Sequence, residues 1–149
     1  MSGIVGSAGS KSGIITDHIA LDYEQGVWTP SPNFGSGGSI NTTSQKRYTK
    51  IGGMVWLECY FGNIQSPGFT SIGGLPFPTN PTGSAYENVS GTVMMHTVDV
   101  HADTYQMAPY IYNGDISFYQ SRSGSAWLIK NAWDSGDDFF FSCHYMAIN

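Results

Sequence analysis

Asp99, His101 and Asp103 alternate along the stretch "DVHAD", with His96 close by. On an extended strand these three side chains would project to one side, where carboxylate oxygens and an imidazole could hold zinc or a similar ion. No Cys-x-x-Cys or His-Glu-x-x-His run accompanies them, and Asp and His are common at strand ends, so neither a metal nor another cofactor is expected. Asp137 and Asp138 supply adjacent carboxylates, but neighbours on a strand face opposite sides and cannot share one glycoside-cleaving site. They read as a solvated hairpin turn, and no spacing selects a partner acid for Glu58. The run "GSKSG", from Gly9 to Gly13, matches a nucleophile elbow only loosely and lies where no strained turn can be held. "GSGGS" at positions 35–39 is followed by no Lys-Ser/Thr pair or helix start, so it is no phosphate cradle. No catalytic constellation is expected, and the chain is not read as an enzyme.

Its surplus chemistry is aromatic. Four Trp, nine Tyr and eight Phe exceed what one small core needs. Outward rings can complete a second core layer, fill a subunit interface or stack on sugar rings. Trp56 and Tyr60 fall on the side of their strand opposite its apolar face, while Trp28, Trp127 and Trp133 lie near turns. Trp127 and Trp133 are the residues expected to touch a glycan.

The 149 residues carry a net charge of −5, and only 11% are charged. A nucleic-acid face needs clustered Lys and Arg; only Lys46, Arg47 and Lys50 cluster, and they read as solvated charges on a strand edge. No nucleic-acid partner is expected. Neither a membrane span nor a signal peptide is expected, because no apolar run is long enough and no basic segment precedes one. Alternation sets Cys59 beside Val55, Leu57 and Phe61, and Cys143 beside Phe139, Phe141 and Tyr145. Both cysteines read as small buried thiols in a protein made in a cytoplasm.

The elements that position these side chains are strands. Residues 1–16 are rich in Gly and Ser, with apolar anchors only at Ile4, Val5, Ile14 and Ile15. Such a stretch holds no shape alone and must lie on something else. The expected organisation is an extended arm over residues 1–21 and a β-sandwich domain over 22–149. Residues 17–29 could hold one helical turn around Ile19 and Leu21, and "PSPNFGSGGSINTTS" reads as a surface loop. From Arg47 a two-residue period leads through Gly52-Gly53, read as a kink or bulge, into "MVWLECYFGNI". Asn113-Gly114 between "PYIY" and "DISFY" is the strongest hairpin signal, with Gly124 and "DSGDD" punctuating later turns. The expected fold is all-β and antiparallel, a sandwich or jelly roll of about seven or eight strands.

The segments "LDYEQGVWTP", "RYTKIGGMVWLECYF" and "IGGLPF", in this order, resemble a module of tailed-bacteriophage virion proteins. The opening "SGIVGSAGSKSGII" is similar to the starts of small structural proteins from marine and freshwater phages. The resemblance covers about the first half of the chain. It implies a homotrimeric β-rich knob of the kind found on fibres and on capsid decoration proteins. In that setting Tyr23, Trp28, Tyr48 and Ile51 are folding residues, and Pro76 and Pro78 block further pairing at an edge.

Two functions follow as expectations. In the first, the chain is a capsid decoration (cement) protein of the virion, a trimer assembled in the host cytoplasm. Its arm binds the major capsid protein or another virion protein through Ile4, Val5, Lys11, Ile14 and Ile15. The chain opens on Met1 and ends at residue 149, so no long shaft is expected. In the second, it is a tail-fibre or head-fibre knob whose loops contact host glycans.

Overall fold

In the computed structural model Val55, Leu57, Cys59 and Phe61 are buried, while Trp56 and Glu58 between them are exposed. That two-residue period makes this stretch a strand with one face in a core. The structure describes residues 22–34, 40–65, 68–79, 90–131 and 133–148. Residues 1–21, with the expected partner contacts at Ile4, Val5, Lys11, Ile14 and Ile15, lie outside the described residues, as does "GSGGS" at 35–39.

The described residues form strands β1 (Tyr23–Val27), β2 (Ser31–Phe34), β3 (Ile40–Ile51), β4 (Met54–Ile64) and β5 (Phe69–Gly73). They continue with β6 (Ser90–His96), β7 (Thr104–Tyr112), β8 (Asp115–Arg122), β9 (Ser125–Ile129) and β10 (Asp138–Met146). One sheet has the order β1-β3-β4-β10-β6; the second has β2-β5-β8-β7, with β9 also paired to β8. Every pairing is antiparallel. The fold is therefore all-β and sandwich-like. Among the described residues no helix is long and apolar enough to cross a membrane.

The inner faces meet in an aromatic core. Phe61 of β4 stacks on Phe139 of β10 at 5.4 Å, and Phe118 of β8 meets Phe139 edge-on at 5.0 Å. Each such ring contributes about 1.5–3 kcal/mol by leaving water. Cys59 and Cys143 are buried free thiols in this core, and burial pushes each thiol pKa up to about 12. They serve as packing groups, not nucleophiles.

The structure differs from the sequence reading at four places. Gly52-Gly53 is not a kink within one strand but the two-residue loop of a hairpin, with Ile51 opposite Met54 and Gly52 at φ 58°. A positive φ at a hairpin tip is what glycine supplies without steric cost. The Asn113-Gly114 hairpin forms as expected, with φ 52° and 81°. Tyr23–Val27 is a strand, not part of a helical turn; residues 17–21 lie outside the described residues. The Pro/Gly/Ser-rich stretch after Trp28 carries β2 and the start of β3 rather than being loop throughout, so the strands outnumber the expected seven or eight. Finally, β3 is an interior strand, so Lys46, Arg47 and Lys50 are not edge charges. Lys50 is only 7% exposed; its ammonium bonds the Asp22 carboxylate and lies 5.3 Å over the Phe77 ring. Its stem adds to the core while its head keeps a counter-ion.

That last contact belongs to a larger seam. Tyr48 donates its hydroxyl to Glu24 and sets its ring edge-on to Phe77 at 5.4 Å. Phe77 in turn is held by Tyr145, whose hydroxyl donates to the Phe77 carbonyl (3.0 Å) and accepts from its N–H (3.3 Å). Trp28 is buried against Phe141, with its indole N–H donated to the Glu58 carbonyl at 3.2 Å. Gly74 lies so close to the Thr29 carbonyl that a β-carbon there would sit 2.3 Å from its oxygen. The three segments "DYEQGVWTP", "YTKIGG" and "IGGLPF", distant in sequence, thus pack as one unit.

Candidate functional site

Strand register sorts the outer face of the five-stranded sheet into rows. Tyr23, Ile51, Met54 and Met146 lie side by side at one end. The next row runs Gln25, Thr49, Trp56 and His144, and the one after it runs Val27, Arg47, Glu58, Ser142 and Thr92. Beyond these come Ser44, Tyr60, Phe140 and Met94. Two polar rows are therefore bordered by two apolar ones, with a single indole in their midst.

The polar rows floor a groove of about 520 Å³. Trp56 is 43% exposed there and leans on the His144 ring at 6.5 Å between centroids, 40° from coplanar. Arg47 and Glu58 face each other across β3 and β4 at 3.6 Å. The Thr92 and Ser142 hydroxyls are bonded at 3.0 Å, and the Gln25 amide donates to the Thr49 hydroxyl at 3.5 Å. Next to the groove, Tyr60 and Phe140 stack at 4.5 Å with a 32° tilt. This bed offers one exposed ring, paired hydroxyls, an amide and a self-compensated charge pair.

The opposite outer face is different. Tyr119 of β8 and Trp127 of β9 lie 4.7 Å apart, and Tyr110 of β7 meets both edge-on at 5.3 and 5.8 Å. Trp127 is 56% exposed, as the sequence reading requires of a glycan contact, but its ring packs against the two tyrosines of this three-ring knot. Trp133 is corrected outright: it is 0% exposed, with its indole N–H donated to the Lys130 carbonyl at 3.1 Å and its ring 4.6 Å from Phe139. Its loop folds back over the core because Gly136 donates to the Ile64 carbonyl (2.8 Å) and Ile64 donates to that of Asp137 (3.3 Å). A ring so enclosed has no face for a ligand.

The same loop corrects the aspartate pair. Asp137 is 2% exposed, and its carboxylate accepts the Asp134 N–H at 2.8 Å. Burial raises its pKa, opposed by that bond and by the Lys130 charge. Asp138 faces outward, where it accepts the Asn63 N–H at 2.6 Å and approaches His96 at 3.4 Å.

Asp99, His101 and Asp103 do not share a strand face, because the backbone from 97 to 103 leaves the sheet after β6. Two inward polar side chains hold it as a loop: the Lys130 ammonium donates to the Asp99 carbonyl (2.6 Å), and the Gln120 amide oxygen accepts the His101 N–H (2.8 Å). Among the described residues no three His, Cys, Asp or Glu side chains come together as a metal site.

Sequence reasoning found Trp56 as an outward ring but missed its neighbours. They come from β1, β3, β6 and β10, and only strand order assembles them. No protein family, curated protein or solved structure matches this chain.

Proposed function

We propose that this chain is a structural protein of a tailed-bacteriophage virion, a homotrimeric decoration or cement knob with a jelly-roll-like sandwich, fixed to the major capsid protein by residues 1–21. The observation that supports this reading is the seam. The three segments that carry the phage resemblance interlock through Asp22, Glu24, Tyr48, Lys50 and Phe77, and through the Trp28 indole on the Glu58 carbonyl. A motif whose distant parts meet in one packed unit is a folding module rather than a coincidence of composition. The trimer closes through the Tyr110–Tyr119–Trp127 knot, since interfaces are enriched in Tyr and Trp and depleted of charge at their centres.

The test uses purified particles lacking the protein. Full-length chain added back binds them, and a chain without residues 2–16 binds about tenfold less or not at all. Undiminished binding by the shortened chain removes the arm from the reading, and failure of the full-length chain to bind removes the capsid. A second reading, a head-fibre or tail-fibre knob contacting host glycans, is favoured by the groove around Trp56. Imaging of particles labelled at the C-terminal end separates the two, with label over the shell for the first and at a fibre tip for the second.

A further inference from the structure

We infer that the outer face of the β1-β3-β4-β10-β6 sheet binds a neutral oligosaccharide, with Trp56 as the stacking ring. The inference stands on the groove and not on where the protein sits on a particle. A pyranose ring has an apolar face of C–H groups and a rim of hydroxyls that both donate and accept hydrogen bonds. Its recognition needs a flat aromatic surface beside side chains that do the same. Trp56 supplies the surface, with the His144 ring beside it at 6.5 Å. The rim partners are the Thr92–Ser142 hydroxyl pair on one side and the Gln25 amide with the Thr49 hydroxyl on the other. Already bonded to one another, these groups are positioned before a ligand arrives, and each hydroxyl keeps a further lone pair for it.

Charge selects the ligand class. Arg47 and Glu58 lie in the groove but compensate each other at 3.6 Å, leaving no net field for an anion or a basic peptide. Both ions still offer forked hydrogen bonds to vicinal hydroxyls. The volume of about 520 Å³ falls within the roughly 300–1,000 Å³ usual for small-ligand clefts. Along β4 the Tyr60–Phe140 stack lies four residues from Trp56, about 13 Å at strand rise, which suits a chain of sugars rather than one ring. A second copy of this chain fits less well, because two charged residues and an imidazole sit at the centre of the face, where subunit interfaces exclude charge.

The experiment is a glycan array carrying neutral and acidic bacterial-surface oligosaccharides, probed with the labelled full chain, followed by fluorescence titration of the hits. Neutral oligosaccharides bind, Trp56→Ala weakens binding roughly tenfold or more, and Trp56→Phe retains part of it. Trp127→Ala leaves it unchanged. The inference is overturned if nothing on the array binds, if only acidic glycans bind, or if Trp56→Ala binds like the parent. It is equally overturned if Trp56→Ala alters the oligomeric state instead of sugar binding. Particle attachment is a separate readout, so the two readings fail independently.

Discussion

Trp56 and Trp127 stand on opposite outer faces of the sandwich, similarly exposed, in unlike surroundings. Around Trp56 the neighbours are Thr49, His144, Gln25, Glu58 and Arg47, groups that keep their hydrogen-bonding capacity toward solvent. Around Trp127 they are Tyr119 and Tyr110, whose rings occupy one another. An exposed indole among polar side chains is what the proposed sugar site requires. An indole in a knot of rings is what the proposed subunit contact requires. Exposure alone does not distinguish the two; the register of the flanking strands does.

Both faces rest on one core, and the largest expected effect comes from removing their common support. Trp133→Ala leaves a hole between Phe139, Phe69 and Phe118 and should cost about 3–5 kcal/mol in urea unfolding. It should weaken assembly and sugar binding together; loss of one alone would show that the faces do not share a core. Next in size, Trp127→Ala or Tyr119→Ala should convert the proposed trimer to monomer in light scattering at micromolar concentration, with the proposed sugar binding intact. If the parent chain is itself monomeric there, the contrast between the faces loses one side. The smallest effect touches neither face. Because burial raises the Asp137 pKa above its ordinary 3.8, the folded chain keeps, between 3.8 and the raised value, a proton that the unfolded chain has released. This group's contribution is therefore fully present below 3.8 and falls as pH rises through the raised value. The urea midpoint of Asp137→Asn, compared with the parent at pH 4 and pH 7, should lack that part of the fall.

Legibility in the sequence followed the range of the interactions. The alternation in Met54–Ile64 and Asp138–Met146 is local, and the buried faces follow from it, both cysteines included. Asn113-Gly114 was readable because its turn requirement is carried by two adjacent residues. Gly52-Gly53 carried an equal signal, but uninterrupted alternation on both sides made a continuous strand look natural. Trp133 was misjudged because its burial depends on a loop stitched to Ile64, far away in sequence. Lys50 was misjudged because its counter-ion, Asp22, precedes β1. The groove was the least legible of all: its side chains come from five strands, and strand order is settled by the whole chain.

The Gly52-Gly53 turn has a consequence for how the domain is held. Its Gly52 N–H is bonded to the Asp22 carbonyl at 2.7 Å, and its Gly53 carbonyl to the Ala147 N–H at 2.8 Å. The polypeptide therefore comes in before β1 and goes out after β10 beside the same turn. A tether at either end grips the sandwich by one pole, with the strands of this sheet running away from the attachment point. Both flat sides are then presented laterally, like the flanks of a blade fixed at its hilt, and something docking on one flank need not displace what holds the hilt.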